Sequence, residues 1–167
     1  PQDAVAVATR ELELSQRLVD RLSQAVSEPA LVALLLGKAA QADERGIALT
    51  VTEDTQLPAE TPLTGQELVT VLGNLIDNAM DACDRDDPWV EVTVLQDDDA
   101  LRITVADSGT GMEAGEFDQA MQRGYSTKTG AGHGLGLALV AQVVRRHGGT
   151  LDADVTYGSV VSVTVPR

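Results

Sequence analysis

From Pro1 to about Gln24 apolar residues recur at three- and four-residue steps: Val5, Leu12, Leu14, Leu18, Val19 and Leu22. Set among charged neighbours, that spacing predicts an amphipathic helix. Ser27-Glu28-Pro29 interrupts it, and a second helical run extends from Pro29 to about Arg45, where Gly46 supplies a stop. Its Ala33-Leu34-Leu35-Leu36 segment is apolar nearly all round, which predicts burial against more than one neighbour. Beyond Gly46 the period becomes two, with Ile47, Leu49 and Val51 alternating with Ala48, Thr50 and Thr52 as a half-buried strand. This change of character divides the chain near residue 46, into a helical part (1–46) and a second domain (47–167).

Thr64 with Glu67 three positions later forms a capping-box signature, so a helix is expected from about Gly65 to Arg85, ended by Asp86-Asp87-Pro88. Two alternating strands follow, Val90/Val92/Val94 and Leu101/Ile103/Val105, joined by a hairpin at Asp97-Asp98-Asp99. Residues 107–133 are rich in Gly, Ser and Thr and read as a long functional loop or lid, with a short helix around Glu113 to Met121. A helix from Gly134 to Arg146 is closed by His147-Gly148-Gly149, and strands Leu151 to Thr156 and Val160 to Val165 complete the chain. The order argues an α+β fold, with helices on one face of a largely antiparallel sheet.

Composition narrows the function classes. The 167 residues carry 12 basic and 26 acidic side chains, a net charge of −14, which disfavours nucleic acid and anionic membrane surfaces as partners. Trp89, Tyr125, Tyr157 and Phe117 are the only aromatics, so the core is aliphatic and a base-stacking platform is excluded. A single cysteine, Cys83, allows neither an internal disulfide nor a cysteine-rich zinc site. The longest apolar run, Ala30 to Leu36, falls far short of the roughly 20 residues that span a bilayer, so the chain as given reads as soluble. Only two of the basic residues are lysines, Lys38 and Lys128.

Three segments carry chemistry. On a wheel of about 100° per residue with Asn74 at zero, Asn78 falls near 40°, Glu67 near 20°, Asp81 near 340° and Asp77 near 300°. Leu68, Leu72, Leu75, Ile76 and Ala79 occupy the opposite face. The carboxylates alone read as a solvated polar face, but Asn is a mediocre helix former, and two asparagines one turn apart point to a task. Amide oxygens there suit Mg²⁺, a hard cation often shared with nucleotide phosphates. Asp107-Ser108-Gly109-Thr110-Gly111-Met112 ends a strand in a turn that permits close approach to a ligand, although such strings also occur as plain turns. Gly130-Ala131-Gly132-His133-Gly134-Leu135-Gly136-Leu137 leads straight into a helix, whose free N–H groups bind phosphate without net positive charge. It is neither a Walker loop nor a Rossmann turn, and His147 is expected to serve a helix C-terminus.

Together and in this order the segments resemble the ATP-binding catalytic domain of bacterial sensor histidine kinases, the Bergerat fold shared with gyrase B, Hsp90 and MutL. The asparagine box corresponds to Asn74-Leu75-Ile76-Asp77-Asn78-Ala79-Met80-Asp81-Ala82 and the first glycine box to Asp107 through Met112. The lid motif corresponds to Phe117 with Gly124-Tyr125-Ser126-Thr127-Lys128, and the second glycine box to Gly132 through Leu137. Gly158-Ser159-Val160-Val161 resembles the final glycine box, with serine in place of the usual threonine; the resemblance covers about residues 65–167.

The resemblance implies an α+β two-layer sandwich, a mixed, largely antiparallel sheet with helices on one face preceded by a helical remnant of the dimerisation region, and a set of roles. Asn78, supported by Asn74, would coordinate Mg²⁺ on ATP, with Asp81 on the same face of the site. Asp107 would accept a hydrogen bond from the adenine amino group, and Gly109, Gly111 and Met112 would line the adenine pocket. Gly132, His133, Gly134, Leu135 and Gly136 would face the phosphates. Lys128, with Ser126 and Thr127, would order the lid around them, and Ser159 would reach adenine through water. Asn74, Asn78 and Lys128 are thus the expected catalytic set.

Gyrase-like ATPases place a glutamate general base where Asn74 stands, and an amide cannot take a proton in that role. Poor water attack suits an enzyme that conserves the γ-phosphoryl group for an imidazole. The segment Glu28-Pro29-Ala30-Leu31-Val32-Ala33-Leu34-Leu35-Leu36-Gly37-Lys38 resembles the end of the dimerisation and phosphoacceptor region in the citrate/C4-dicarboxylate-sensing subfamily. The acceptor histidine is missing, since the chain's two histidines lie at 133 and 147. The resemblance therefore implies a fragment of a homodimeric inner-membrane sensor kinase, its cytoplasmic catalytic domain, passing phosphate through a histidine domain to a response regulator. The alternative is a regulatory nucleotide-binding module, or an anti-sigma-factor-type serine kinase of the same fold.

Overall fold

The computed structural model describes residues 2–110, 135–155 and 158–167. Its elements are α1 (Gln2–Ala25), α2 (Pro29–Glu44), β1 (Ala48–Val51), α3 (Gly65–Ala82), β2 (Trp89–Gln96), β3 (Ala100–Asp107), α4 (Leu135–Arg146), β4 (Thr150–Asp154) and β5 (Ser159–Pro166). The short helix expected at 113–121 and most of the expected lid fall outside the described residues. One sheet runs β1-β2-β3-β5-β4. β1 pairs with β2 in parallel, because the connection between them is long enough to hold α3 as a crossover, and every other pairing is antiparallel.

The period-two pattern gives the sheet one apolar face. Val92 stands opposite Val105, Val94 opposite Ile103, Ile103 opposite Val163 and Leu101 opposite Val165, all buried. Alternate positions on the other face are polar, among them Thr93, Arg102, Thr104, Ser162 and Thr164. Among the described residues, helices cover the apolar face: α3 contributes Leu68, Leu72, Leu75 and Ile76, and α4 contributes Leu137, Val140 and Val144.

α3 starts where the sequence predicts. Thr64 Oγ1 accepts from the Glu67 N–H at 3.1 Å while Glu67 Oε1 accepts from the Thr64 N–H at 3.0 Å. It ends at Ala82, short of the expected Arg85, because Cys83 turns extended and the next segment is captured by Ser108. The Ser108 Oγ accepts from the N–H groups of Asp84 at 3.3 Å and Trp89 at 3.2 Å. At the other end of the layer, His147 follows α4, and its Nε2 lies 2.7 Å from Glu67 Oε2. The same carboxylate thus caps the start of α3 and ties it to the end of α4.

α2 is built into the same core. Leu31, Leu35 and Ala42 are buried in one cluster with the α3 and sheet residues, and Leu34 packs against that cluster. α1 joins this core only through its last turns, at Leu22 and Val26, whereas Val5, Val7, Leu12 and Leu14 are exposed. Its end is clamped by backbone bonds from Leu57 N to Ala25 O and from Ser27 N to Leu57 O, each 2.9 Å. Arg21 Nη2 adds a bond to Val51 O at 2.8 Å.

Two predictions follow from this packing. Leu35→Ala removes a fully buried side chain from the shared cluster and should cost about 3 kcal/mol. A denaturant titration should show one transition at a lower midpoint; a separate early transition confined to the helical signal would contradict a shared core. The Thr64 backbone bond holds the Glu67 carboxyl below its ordinary value, and the His147 bond and charge add to this against the opposing effect of burial. A lowered folded-state value contributes stability above the unfolded-state value, which is lost as pH falls through the folded-state one. Glu67→Gln should therefore lower the melting temperature at neutral pH, with the gap to the unmutated chain closing in acid. A gap independent of pH would exclude this role.

Candidate functional site

The wheel face of α3 divides between two neighbouring helices. Asp77 and Asp81 turn to α2, where Lys38 Nζ lies 2.7 Å from Asp77 Oδ1 and Arg45 Nη1 lies 3.3 Å from Asp81 Oδ1. Asn74 turns instead to the start of α4. Its Nδ2 donates to Thr70 O at 2.6 Å, one turn back, which leaves the amide oxygen facing Gly136. A Cβ built on Gly136 would fall 2.6 Å from that oxygen, so glycine is what lets the first turn of α4 approach the Asn74 amide. Asn78 is half-buried one turn further along α3.

The end of β3 closes in on the same helix. Asp107 is only 4% exposed, and its Oδ1 accepts from the Gly109 N–H at 2.7 Å. A Cβ on Gly109 would lie 2.2 Å from Ala82 O, so the turn after β3 passes against the last carbonyls of α3 with no room for a side chain. On the other flank Asp107 pairs in register with Ser159 of β5. Gly158, at φ +61°, would place a Cβ 2.0 Å from Asp107 O, a position closed to any other residue. A carboxylate carried this deep is costly unless its acceptors are met, and backbone donors supply part of that need.

Of the expected site residues, the structure thus brings Asn74 to Gly136, Gly109 to the α3 C-terminus, and Ser159 beside Asp107. Asn78 and Asp81 share α3 with Asn74, and Asp81 is also engaged by Arg45. Gly111, Met112, Ser126, Thr127, Lys128, Gly132, His133 and Gly134, with the side chain of Leu135, lie outside the described residues. Sequence reading gave no role to Lys38, Arg45, Thr70 or Ser108. The scarcity of lysine was a signal for Lys38; nothing local marks the others.

The donor set fits a shared cation better than a protein-held one. Among the described residues no group of three or more His, Cys, Asp or Glu side chains could hold a metal. Asp77 and Asp81 are matched by cations, which leaves the neutral amides of Asn74 and Asn78. Such donors suit Mg²⁺ that keeps most of its coordination for water and substrate phosphates.

Comparison with known proteins gives the family and the fold. Residues 64–167 match the family model described as histidine kinase-, DNA gyrase B- and HSP90-like ATPase. The chain is 33% identical to the sensor histidine kinase DpiB of Escherichia coli over 98% of its own length and 31% of that protein. It is 32% identical to the sensor protein CitS of Halalkalibacterium halodurans over 99% of its length and 32% of that protein. The chain therefore spans about a third of the curated relatives it matches. Among solved structures, the mycobacterial sensor histidine kinase MprB superposes with a TM-score of 0.64 at 24% identity, over 80% of this chain and 93% of that one. Full-length ShkA in complex with AMPPNP superposes at 0.65 and 23% identity, over 83% of this chain and 29% of that one. Both support the fold. With its asparagine helix and glycine turns assembled as described and the family model matched over 64–167, the chain belongs to the histidine kinase-, DNA gyrase B- and HSP90-like ATPase family.

Proposed function

We propose that this chain is the Mg-ATP-binding catalytic unit of a sensor histidine kinase that transfers the γ-phosphoryl group to a histidine of a dimerisation domain. One observation carries the choice of kinase over ATPase. The side chain at 74 is an amide, held as a donor to the Thr70 carbonyl and packed against the start of α4, so it has no basic site to accept a proton from water. In the reaction an imidazole nitrogen bonds to the γ-phosphorus, the bond from that phosphorus to the β,γ-bridging oxygen breaks, and ADP leaves. The acceptor comes from elsewhere, since His147 is bonded to Glu67 at the far end of α4 from Gly136.

In this reading Asp107 accepts from the adenine amino group, and Gly109 and Gly111 with Met112 and Ser159 bound the base. The N–H groups at the start of α4, following Gly132, His133, Gly134 and Leu135, receive phosphate oxygens. Lys128, with Ser126 and Thr127, would order the lid around them. Asn78, with Asn74, holds Mg²⁺, which when bound neutralises charge on the phosphates. Catalysis is then positioning and electrostatic stabilisation, with no covalent step through the protein fold itself.

The rest of the signalling path belongs to the same proposal. Val5 and Leu12, both exposed, stand seven residues apart with Val19 next in the series, a repeat suited to pairing with a second copy. Residues 1–46 would derive from the dimerisation region, and 47–167 would form the catalytic domain. A response-regulator aspartate would be the final acceptor, and the sensed ligand would be a citrate or C4-dicarboxylate, the latter being the class printed in the names of two relatives, both probable C4-dicarboxylate sensor kinases. No helix among the described residues is long and apolar enough to cross a membrane, and we place the chain on the cytoplasmic side of a membrane-anchored sensor.

The test supplies the acceptor in trans. Mixed with a histidine-bearing dimerisation hairpin of the same subfamily and γ-labelled ATP, the chain should transfer acid-labile label to the hairpin; free phosphate without labelled hairpin would favour an ATPase. Asn78→Ala should weaken magnesium-dependent nucleotide binding by about tenfold or more, with the circular dichroism spectrum unchanged. Equal affinity in magnesium buffer would remove Asn78 from its role. Asp107→Asn should lose the preference for adenine over guanine nucleotides.

A further inference from the structure

Two ion pairs join α2 to the helix that carries the asparagines, and both fall on its site-bearing half. Lys38 Nζ meets Asp77 Oδ1 at 2.7 Å and is steadied by Gln41 Oε1 at 3.3 Å. The Lys38 side chain is only 14% exposed, a burial that is costly for an ammonium unless its charge is met. Seven residues on, Arg45 Nη1 meets Asp81 Oδ1 at 3.3 Å and its Nη2 reaches Met80 O at 3.4 Å. Asp77 immediately precedes Asn78 and Asp81 follows it by three, so both carboxylates lie within one helical turn of the amide assigned to the metal.

The chain carries −14 charges, and its proposed ligand is a polyanion. An unmatched carboxylate at Asp77, which is half-exposed and adjacent in sequence to Asn78, would repel the phosphates in a salt-dependent way. We propose that Lys38, by neutralising Asp77, is a positioning residue that sets polyphosphate affinity from outside the nucleotide site, with Arg45 doing the same for Asp81. The inference rests on the nucleotide-binding reading above. It makes α2 part of the nucleotide-binding unit: Lys38 matches the charge beside Asn78 and holds α3 in azimuth, with Asn74 toward α4. Conversely, any displacement of α2 that parts Lys38 from Asp77 lowers affinity for ATP without touching a residue that contacts it.

The test is calorimetric titration with adenosine, ADP and β,γ-imido-ATP in magnesium buffer, for the unmutated chain, Lys38→Met, Lys38→Arg and the double variant Lys38→Met/Asp77→Asn. Lys38→Met should lose about fivefold in affinity for the triphosphate analogue, less for ADP and under about twofold for adenosine. The loss should shrink at about 0.5 M salt, where exposed charges are screened. Lys38→Arg should retain most of the affinity, and the double variant should regain it, because the pair is removed together. A uniform loss across the three ligands would assign Lys38 a merely structural role. Unchanged triphosphate affinity in Lys38→Met, or no recovery in the double variant, would overturn the inference. Absence of binding by the unmutated chain would instead overturn the nucleotide reading on which it stands.

Discussion

The site depends on one constraint: α3 must bury a single face against the sheet. Leu68, Val71, Leu72 and Ile76 are fully enclosed, and Leu75 nearly so, which fixes the helix in depth and rotation and leaves the asparagines off the buried face. The capping box sets where the helix begins, and hence at which turn Asn74 and Asn78 arise. Contacts on its flanks complete the placement, with Lys38 and Arg45 on the α2 side and Gly136 at Asn74 on the α4 side. A small rotation of α3 would expose leucines, separate the ion pairs and move both amides together, so packing and chemistry are specified by the same residues.

The charge pattern accommodates a phosphate-binding function in an acidic chain. The described residues expected to face phosphate are neutral: the amides on α3 and Gly136 at the start of α4. Helix-terminal N–H groups attract anions by fixed dipoles, so a favourable local field coexists with an unfavourable overall charge. Carboxylates near the site are matched by cations or buried among backbone donors, as at Asp77, Asp81 and Asp107.

Local signals were enough for much of this. The hydrophobic periods located the helices and strands to within a few residues, and Thr64 with Glu67 marked the start of α3 as found. What escaped was set by partners distant in sequence. α3 stops early because Ser108 captures the segment beyond it. His147 was assigned to a helix end, but it also meets Glu67 across 80 residues. The wheel grouped Asp77 and Asp81 with the asparagines, whereas the structure divides that face, because the cations that engage the carboxylates lie on α2 and at its end, about 40 residues earlier. The crowding at Gly109, Gly136 and Gly158 likewise has a cause, the approach of α3 or β3, that no local pattern contains.

The central claim is that α3, the turn after β3 and the start of α4 together make a magnesium-dependent adenine nucleotide site. Calorimetric titration of the chain with ADP and a non-hydrolysable ATP analogue, each with magnesium and with a chelator, tests it most directly. The account predicts micromolar binding at one site per chain, tighter for the triphosphate when magnesium is present. Absence of binding, or equal affinity with magnesium and with chelator, would contradict it.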